Sequence, residues 1–194
     1  MADGNASGST SRRFEVGDIV AIGGFRVLST TLEAFASELS DALRAGLPRR
    51  VLFANTNFVV QCQELRERLD DPAVRIVNDG IGMDLAALWL YGRRFAGNPN
   101  GTDLVPCLCA RSPVPLRFYL LGGRPGVAEA AAEVLRREHG QVVVGVCDGY
   151  SGRARAGAAL PARIEAAAPD ILLVAFGNPL QERWIVEHAD RLRV

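Results

Sequence analysis

The chain has 194 residues, 48% of them hydrophobic, with 22 basic side chains balancing 22 acidic ones, which suits one domain with a sizeable core and excludes bulk charge as a route to nucleic acid. All 22 basic residues are arginine, so a Schiff-base lysine or a phosphate-cradling lysine is excluded. No apolar run approaches the roughly 20 residues of a membrane-spanning helix, and Met1 to Arg13 lacks the apolar core of a signal peptide, so we expect a disordered leader over 1–14 and a single domain over 15–194.

In chain order, Val16–Ile22, Gly23-Gly24 and Phe25–Leu28 read as a β-hairpin with a glycine turn. Thr30 and Glu33 have capping-box spacing, and Leu32, Phe35, Ala36, Leu39 and Leu43 follow at helical intervals up to Gly46. Val51–Ala54 is a short buried strand ending in Asn55-Thr56-Asn57, and an amphipathic helix is expected from there to about Leu69. The strand Val74–Val77 leads into Asn78-Asp79-Gly80-Ile81-Gly82 and a helix through Trp89.

A loop rich in Gly, Asn and Pro covers Phe95–Gly101, followed by a short helix over Asp103–Ala110. The strand Arg117–Leu121 breaks at Gly122-Gly123, and Pro125 suits the first position of a long helix to His139. Val142–Val146 is a strand ending in Asp148-Gly149-Tyr150, and a loop with Arg153 and Arg155 precedes a helix over Leu160–Ala167. Ile171–Phe176 ends in Gly177-Asn178-Pro179, and Gln181-Glu182 begin the last helix. Trp89 and Trp184 are expected in the core. So are the thiols of Cys62, Cys107, Cys109 and Cys147, whose spacing has no histidine nearby to complete a zinc site.

Strand–helix alternation of this kind argues an α/β, Rossmann-like fold: a mostly parallel sheet with helices on both faces, preceded by the hairpin. The carboxyl ends of parallel strands share one edge. The turns at Asn55, Asp79, Gly122, Gly149 and Gly177 are therefore expected around a common crevice beside helix N-termini that favour an anion. Gly122-Gly123-Arg124-Pro125-Gly126 is not a dinucleotide fingerprint, no nucleophile elbow is present, and no Asp-x-Asp pair offers a metal to a diphosphate. A leaving diphosphate would then rely on amides, helix N-termini and Arg124, Arg153 or Arg155. Asp79 reads either as a general base at this edge or as the cap of the helix that follows.

The series Asn-x-Asn, Asp-Gly-Ile-Gly, Gly-Thr-Asp-Leu, Leu-Leu-Gly-Gly, Gly-Tyr and Gly-Asn-Pro-x-Gln-Glu-x-Trp-Ile resembles the WecG/TagA/CpsF glycosyltransferases over about Gly17–His188. The resemblance implies a bacterial enzyme that moves a sugar from a UDP-sugar to a polyprenyl-diphosphate-linked acceptor in surface polysaccharide or teichoic acid assembly. It implies inversion, no metal or other cofactor, and Asp79 as general base. Asn55, Thr56, Asn57, Gly80, Gly101, Asp103, Gln181 and Glu182 would bind substrate, while Gly122, Gly123, Gly149, Tyr150, Gly177 and Pro179 would approach the nucleotide.

The family pattern usually has threonine where Asn55 stands, arginine where Asn98 stands, and a basic, apolar tail beyond the last residue of this sequence. The alternative expectation is therefore a non-catalytic nucleotide-sugar-binding homologue or partner subunit; a flavodoxin-like binding module is a weaker one. The expected location is cytoplasmic with peripheral contact on the inner membrane face, and surfaces left uncovered by the tail would favour a homo-oligomer.

Overall fold

The computed structural model describes residues 12–188, 190–192 and 194; residues 1–11 of the expected leader lie outside them. Its last residues belong to the domain. The Phe14 N–H donates to the Arg94 carbonyl at 2.7 Å, and the Phe14 ring meets Tyr91 edge-on with centroids 5.9 Å apart.

Strands β1 (Ile19–Ile22) and β2 (Phe25–Leu28) form the antiparallel hairpin. A two-residue turn matching strand twist needs positive φ at both central positions, and Gly23 and Gly24 supply it at 58° and 84°. Alternation puts Val20, Ile22, Phe25 and Val27 inside. Helix α1 (Leu32–Arg44) starts one residue later than the Thr30 cap predicts: the Ala34 N–H donates to the Thr31 hydroxyl at 3.2 Å, whereas Thr30 is buried.

Strand β3 (Arg50–Ala54), helix α2 (Thr56–Gln61), strand β4 (Val74–Asn78) and helix α3 (Ile81–Tyr91) complete the first half. The expected long helix after Asn57 stops at Gln61 and continues as a 3-10 turn, Gln63–Leu65, then loose turns. The apolar period is nevertheless kept, with Phe58, Cys62, Leu65 and Leu69 all buried. Burial fixed the spacing there without a continuous hydrogen-bond ladder.

Helix α4 (Gly101–Arg111) packs on α1. Then come β5 (Arg117–Gly122), α5 (Val127–His139), β6 (Val142–Cys147), α6 (Ser151–Ala156), α7 (Leu160–Ala167), β7 (Ile171–Ala175) and α8 (Leu180–His188). Pro125 precedes α5 by two residues instead of opening it; Gly126 is the cap, and its N–H donates to Glu129 at 3.1 Å. The expected loop at Arg153 is the short helix α6.

The parallel sheet is two sheets, ordered β1-β2-β4-β3 and β6-β5-β7. Among the described residues no strand pairing joins them. Side chains do: Ile171 of β7 packs with the cluster built on Phe35, Val77 and Leu104, and Ile185 of α8 packs against a core cluster on either side. Both sheets keep helices on their faces, as α/β layering requires.

Candidate functional site

A cleft of about 430 Å³ opens over the seam between the two sheets, lined by Phe53, Asn55, Asp79, Asn100, Gly101, Thr102, Asn178 and Gln181. These residues follow or end β3, β4 and β7 or begin α4 and α8, so the cleft lies outside carboxyl strand ends, where open α/β sheets place ligands. Of the residues predicted to bind substrate or act on it, Asn55, Asp79, Gly101 and Gln181 meet here.

Asp79 stands one residue past β4. Its N–H donates to the Ala54 carbonyl at 2.8 Å, carrying the β3–β4 pairing one step beyond the strand and holding the backbone still. Its half-buried carboxylate has no hydrogen bond or ion pair among the described residues. The capping reading therefore fails. The α3 cap position is Gly80, and the Gly80 N–H donates to the Asn98 side chain at 2.8 Å. Gly80 itself takes φ 107° with nothing within 4 Å of where a Cβ would stand, so the space before it is open.

The loop before α4 is fastened to this turn. The Asn78 amide donates to the Gly97 carbonyl at 3.0 Å and the Phe95 N–H to Asp84 at 3.1 Å. Asn98 thus joins the loop to the Asp79 turn. Asn100 caps α4 by accepting from the Asp103 N–H at 3.0 Å, and its own amide donates to the Asp103 carboxylate at 2.8 Å. Asp103 is exposed beside the cleft, bonded to Asn100 and outside the lining. Gly101 and Thr102 line the cleft instead, with first-turn N–H groups that have no intrahelical acceptor.

Asn55 is present but constrained, because it caps α2 by accepting from the Phe58 N–H at 2.9 Å. Thr56 and Asn57 are exposed beside the cleft and outside its lining. Thr56 packs toward Gly82, where a Cβ would come 2.6 Å from its methyl. The Asn57 amide reaches Asn178 at 3.4 Å across the seam.

Glu182 departs furthest from expectation. It is 0% exposed and absent from the cleft lining. Its Oε1 accepts from the Asn178 amide at 2.6 Å and the Gln181 amide at 2.9 Å, so it contacts the lining from behind. Cys62 is buried next to it; burial first, and the carboxylate's charge second, push that thiol up to about 12.

The predicted nucleotide glycines lie at the carboxyl ends of β5 and β6, outside the cleft lining. A Cβ on Gly122 would fall 2.3 Å from the Ala175 carbonyl oxygen, and one on Gly149 would fall 3.3 Å from the Gly122 Cα. Close backbone packing explains both. Gly123 donates to Ala175 at 2.9 Å and Gly149 to Gly123 at 2.9 Å. Tyr150 is exposed, its N–H held by Asp148 at 2.9 Å. The Gly177 N–H donates to the Gln181 side chain at 3.1 Å, and Pro179 follows a cis bond without lining the cleft.

The arginines expected near a diphosphate do not line this cleft. Arg124 is exposed, Arg153 stacks on Phe176 with its guanidinium 4.8 Å from the ring centre, and the side chain of Arg155 lies outside the described parts. Among the described residues no group of three His, Cys, Asp or Glu is assembled to hold a metal, and no helix is long and apolar enough to cross a membrane. Trp184 is in the core, stacked on His188 with ring centroids 4.5 Å apart. Trp89 is not: it is 86% exposed, and with Ile81 and Leu85 it forms an apolar stripe one turn apart along α3, starting at the cleft rim.

Sequence reading missed Phe53, Asn100, Thr102 and Asn178 as lining residues. Asn178 and Asn100 stood in turns flagged as polar, and a cap position before a helix was the available signal. The family model described as Glycosyl transferase WecG/TagA/CpsF family matches residues 20–194.

Proposed function

The chain belongs to the WecG/TagA/CpsF family of glycosyl transferases, and from that premise we propose that it moves a sugar from a UDP-sugar to a polyprenyl-diphosphate-linked acceptor, with inversion, without a metal, and with Asp79 as general base. The observation that carries this reading is the Asp79 carboxylate, without a hydrogen bond or ion pair among the described residues and lining a cleft large enough for a sugar. An acceptor hydroxyl gives its proton to Asp79 as its oxygen bonds to the anomeric carbon. The bond to the diphosphate oxygen breaks, and UDP leaves with the electron pair. The free N–H groups at the start of α4, Gly101 and Thr102, suit the diphosphate's charge. Asn55 and Gln181 suit sugar hydroxyls.

On this reading the protein works at the inner face of the cell membrane, and the Ile81–Leu85–Trp89 stripe beside the cleft suits contact with a lipid surface; a homo-oligomer would use the same face. Asp79→Asn keeps the side-chain shape and removes the base. UDP release and sugar transfer, assayed with EDTA present, should collapse in this variant, and undiminished transfer would remove Asp79 from the chemistry. A second reading is favoured by one observation, the lack of any arginine among the cleft-lining residues: a non-catalytic binder of the nucleotide-sugar. Binding of UDP-sugars with no UDP released in the presence of membrane extracts would select it.

A further inference from the structure

Glu182 is a carboxylate with 0% exposure; its Oε1 takes two amide donors, and the buried Cys62 thiol beside it is a third, weak one. Burying such a group is costly unless the contacts it makes are required. An ionised carboxylate can only accept. It therefore forces the Asn178 and Gln181 amides to present their NH2 groups inward, at 2.6 and 2.9 Å. A side-chain amide in a cleft wall could otherwise turn either way. With the NH2 ends held, the carbonyl oxygens are the ends left over: Asn178 Oδ1 meets Asn57 at 3.4 Å, and Gln181 Oε1 accepts from the Gly177 N–H at 3.1 Å. Each oxygen has capacity for a second donor.

We propose that Glu182 is a positioning residue that fixes Asn178 and Gln181 as hydrogen-bond acceptors, so that the α8 wall of the cleft selects ligand hydroxyl or N–H groups and leaves phosphate oxygens to the α4 wall. The assignment of ligand groups rests on the glycosyl-transfer reading; the assignment of the amide orientation does not. Glu182 touches neither ligand nor reacting atoms. Its effect belongs to binding, raising KM on removal with a smaller change in kcat.

The test uses the full chain, labelled with nitrogen-15. In the wild type, the Asn178 and Gln181 side-chain NH2 protons should exchange slowly with solvent. Glu182→Gln, which is isosteric but offers a donor, should speed that exchange about tenfold or more, on the scale of one lost charge-assisted hydrogen bond. Calorimetry with UDP-glucose and UDP-N-acetylglucosamine should show about tenfold weaker binding in Glu182→Gln. No further weakening should appear when that change is added to Asn178→Ala/Gln181→Ala. Unchanged amide exchange, or a binding loss that persists undiminished in the double-alanine background, would overturn the proposal. If neither probe nor UDP itself binds the wild type, the UDP-sugar reading fails, and the exchange measurement still decides the orientation. Should Glu182→Gln not fold, Glu182→Asp, still acceptor-only but one methylene short, should give partial amide protection; full wild-type protection and affinity there would count against it.

Discussion

The two carboxyl edges of this protein are built from the same vocabulary of glycine, asparagine and aspartate, yet they do different things. At the seam edge, Gly80 faces open space and the Asp79 carboxylate has no partner among the described residues, so the turn is open to something else. At the β5–β6 edge, Gly122 and Gly149 are filled up to the backbone by Ala175, Gly123 and each other. A glycine in a strand-end turn thus says that a Cβ is unwelcome; only its neighbours say whether a ligand or the protein itself claims the space.

Four tests sharpen or break that contrast. The largest effect is expected at the open edge on activity: Asp79→Asn should lower transfer about 10²–10⁴-fold, the scale of lost general-base catalysis, with a melting temperature close to wild type. An equal loss of stability and activity would make Asp79 a structural residue and dissolve the difference between the edges.

Next comes stability at the closed edge. Gly122→Ala combines φ 124° with a Cβ placed 2.3 Å from a carbonyl oxygen, and about 3–5 kcal/mol of destabilisation is expected in denaturant titration, against about 1–3 kcal/mol for Gly80→Ala, which bears backbone strain alone. Equal costs at the two glycines would break the comparison. A third test concerns the apolar rim. The double change Leu85→Ser/Trp89→Ser should release the protein from anionic lipid vesicles in a flotation assay without altering its fold, since both side chains are exposed.

The smallest effect lies far from either edge. Asp71 accepts from the Ala73 N–H at 2.6 Å and pairs with Arg50 at 3.2 Å, and these two, the backbone bond first, hold its carboxyl below its ordinary 3.8. A depressed folded-state pKa contributes stability that is present above the unfolded value and lost as pH falls through the folded one. Asp71→Asn should therefore lower stability slightly at neutral pH and flatten the acid limb of the stability curve below pH 3.8, so that the two proteins converge in acid. An unaltered acid limb would mean the carboxyl titrates alike in both states.

Most of the fold was readable because strand and helix periods were clean: all the expected strands formed, and the hairpin turn followed from two adjacent glycines. The seam was not readable. Nothing in Val51–Ala54 or Ile171–Ala175 states that these strands end two separate ladders, because pairing partners are chosen by packing across long sequence distances. At the site, Asp79, Asn55, Gly101 and Gln181 followed from turn position and motif.

Glu182 was expected at the ligand from the same motif, and what the sequence did not show is its burial behind Asn178 and Gln181. Trp89 failed for the converse reason. Helix α3 is apolar on every side, a pattern that ordinarily means full burial, and here one side has no neighbour among the described residues. Asp103 lies outside the lining, bonded locally to Asn100, a preference short polar side chains show at helix starts.

The absence of a ladder between β3 and β7 has a mechanical result. The jaws of the cleft sit on different sheets, so their separation is governed by interdigitated aliphatic groups and by side-chain contacts across the seam: Asn57 to Asn178 at 3.4 Å, the Arg183–Glu64 ion pair, and Arg68 donating to the Val186 carbonyl at 3.1 Å. Sliding such packed layers over one another is softer than stretching paired strands. A guest that grips Asn55 on one jaw and Asn178 on the other would staple the halves together, and the molecule should stiffen on loading.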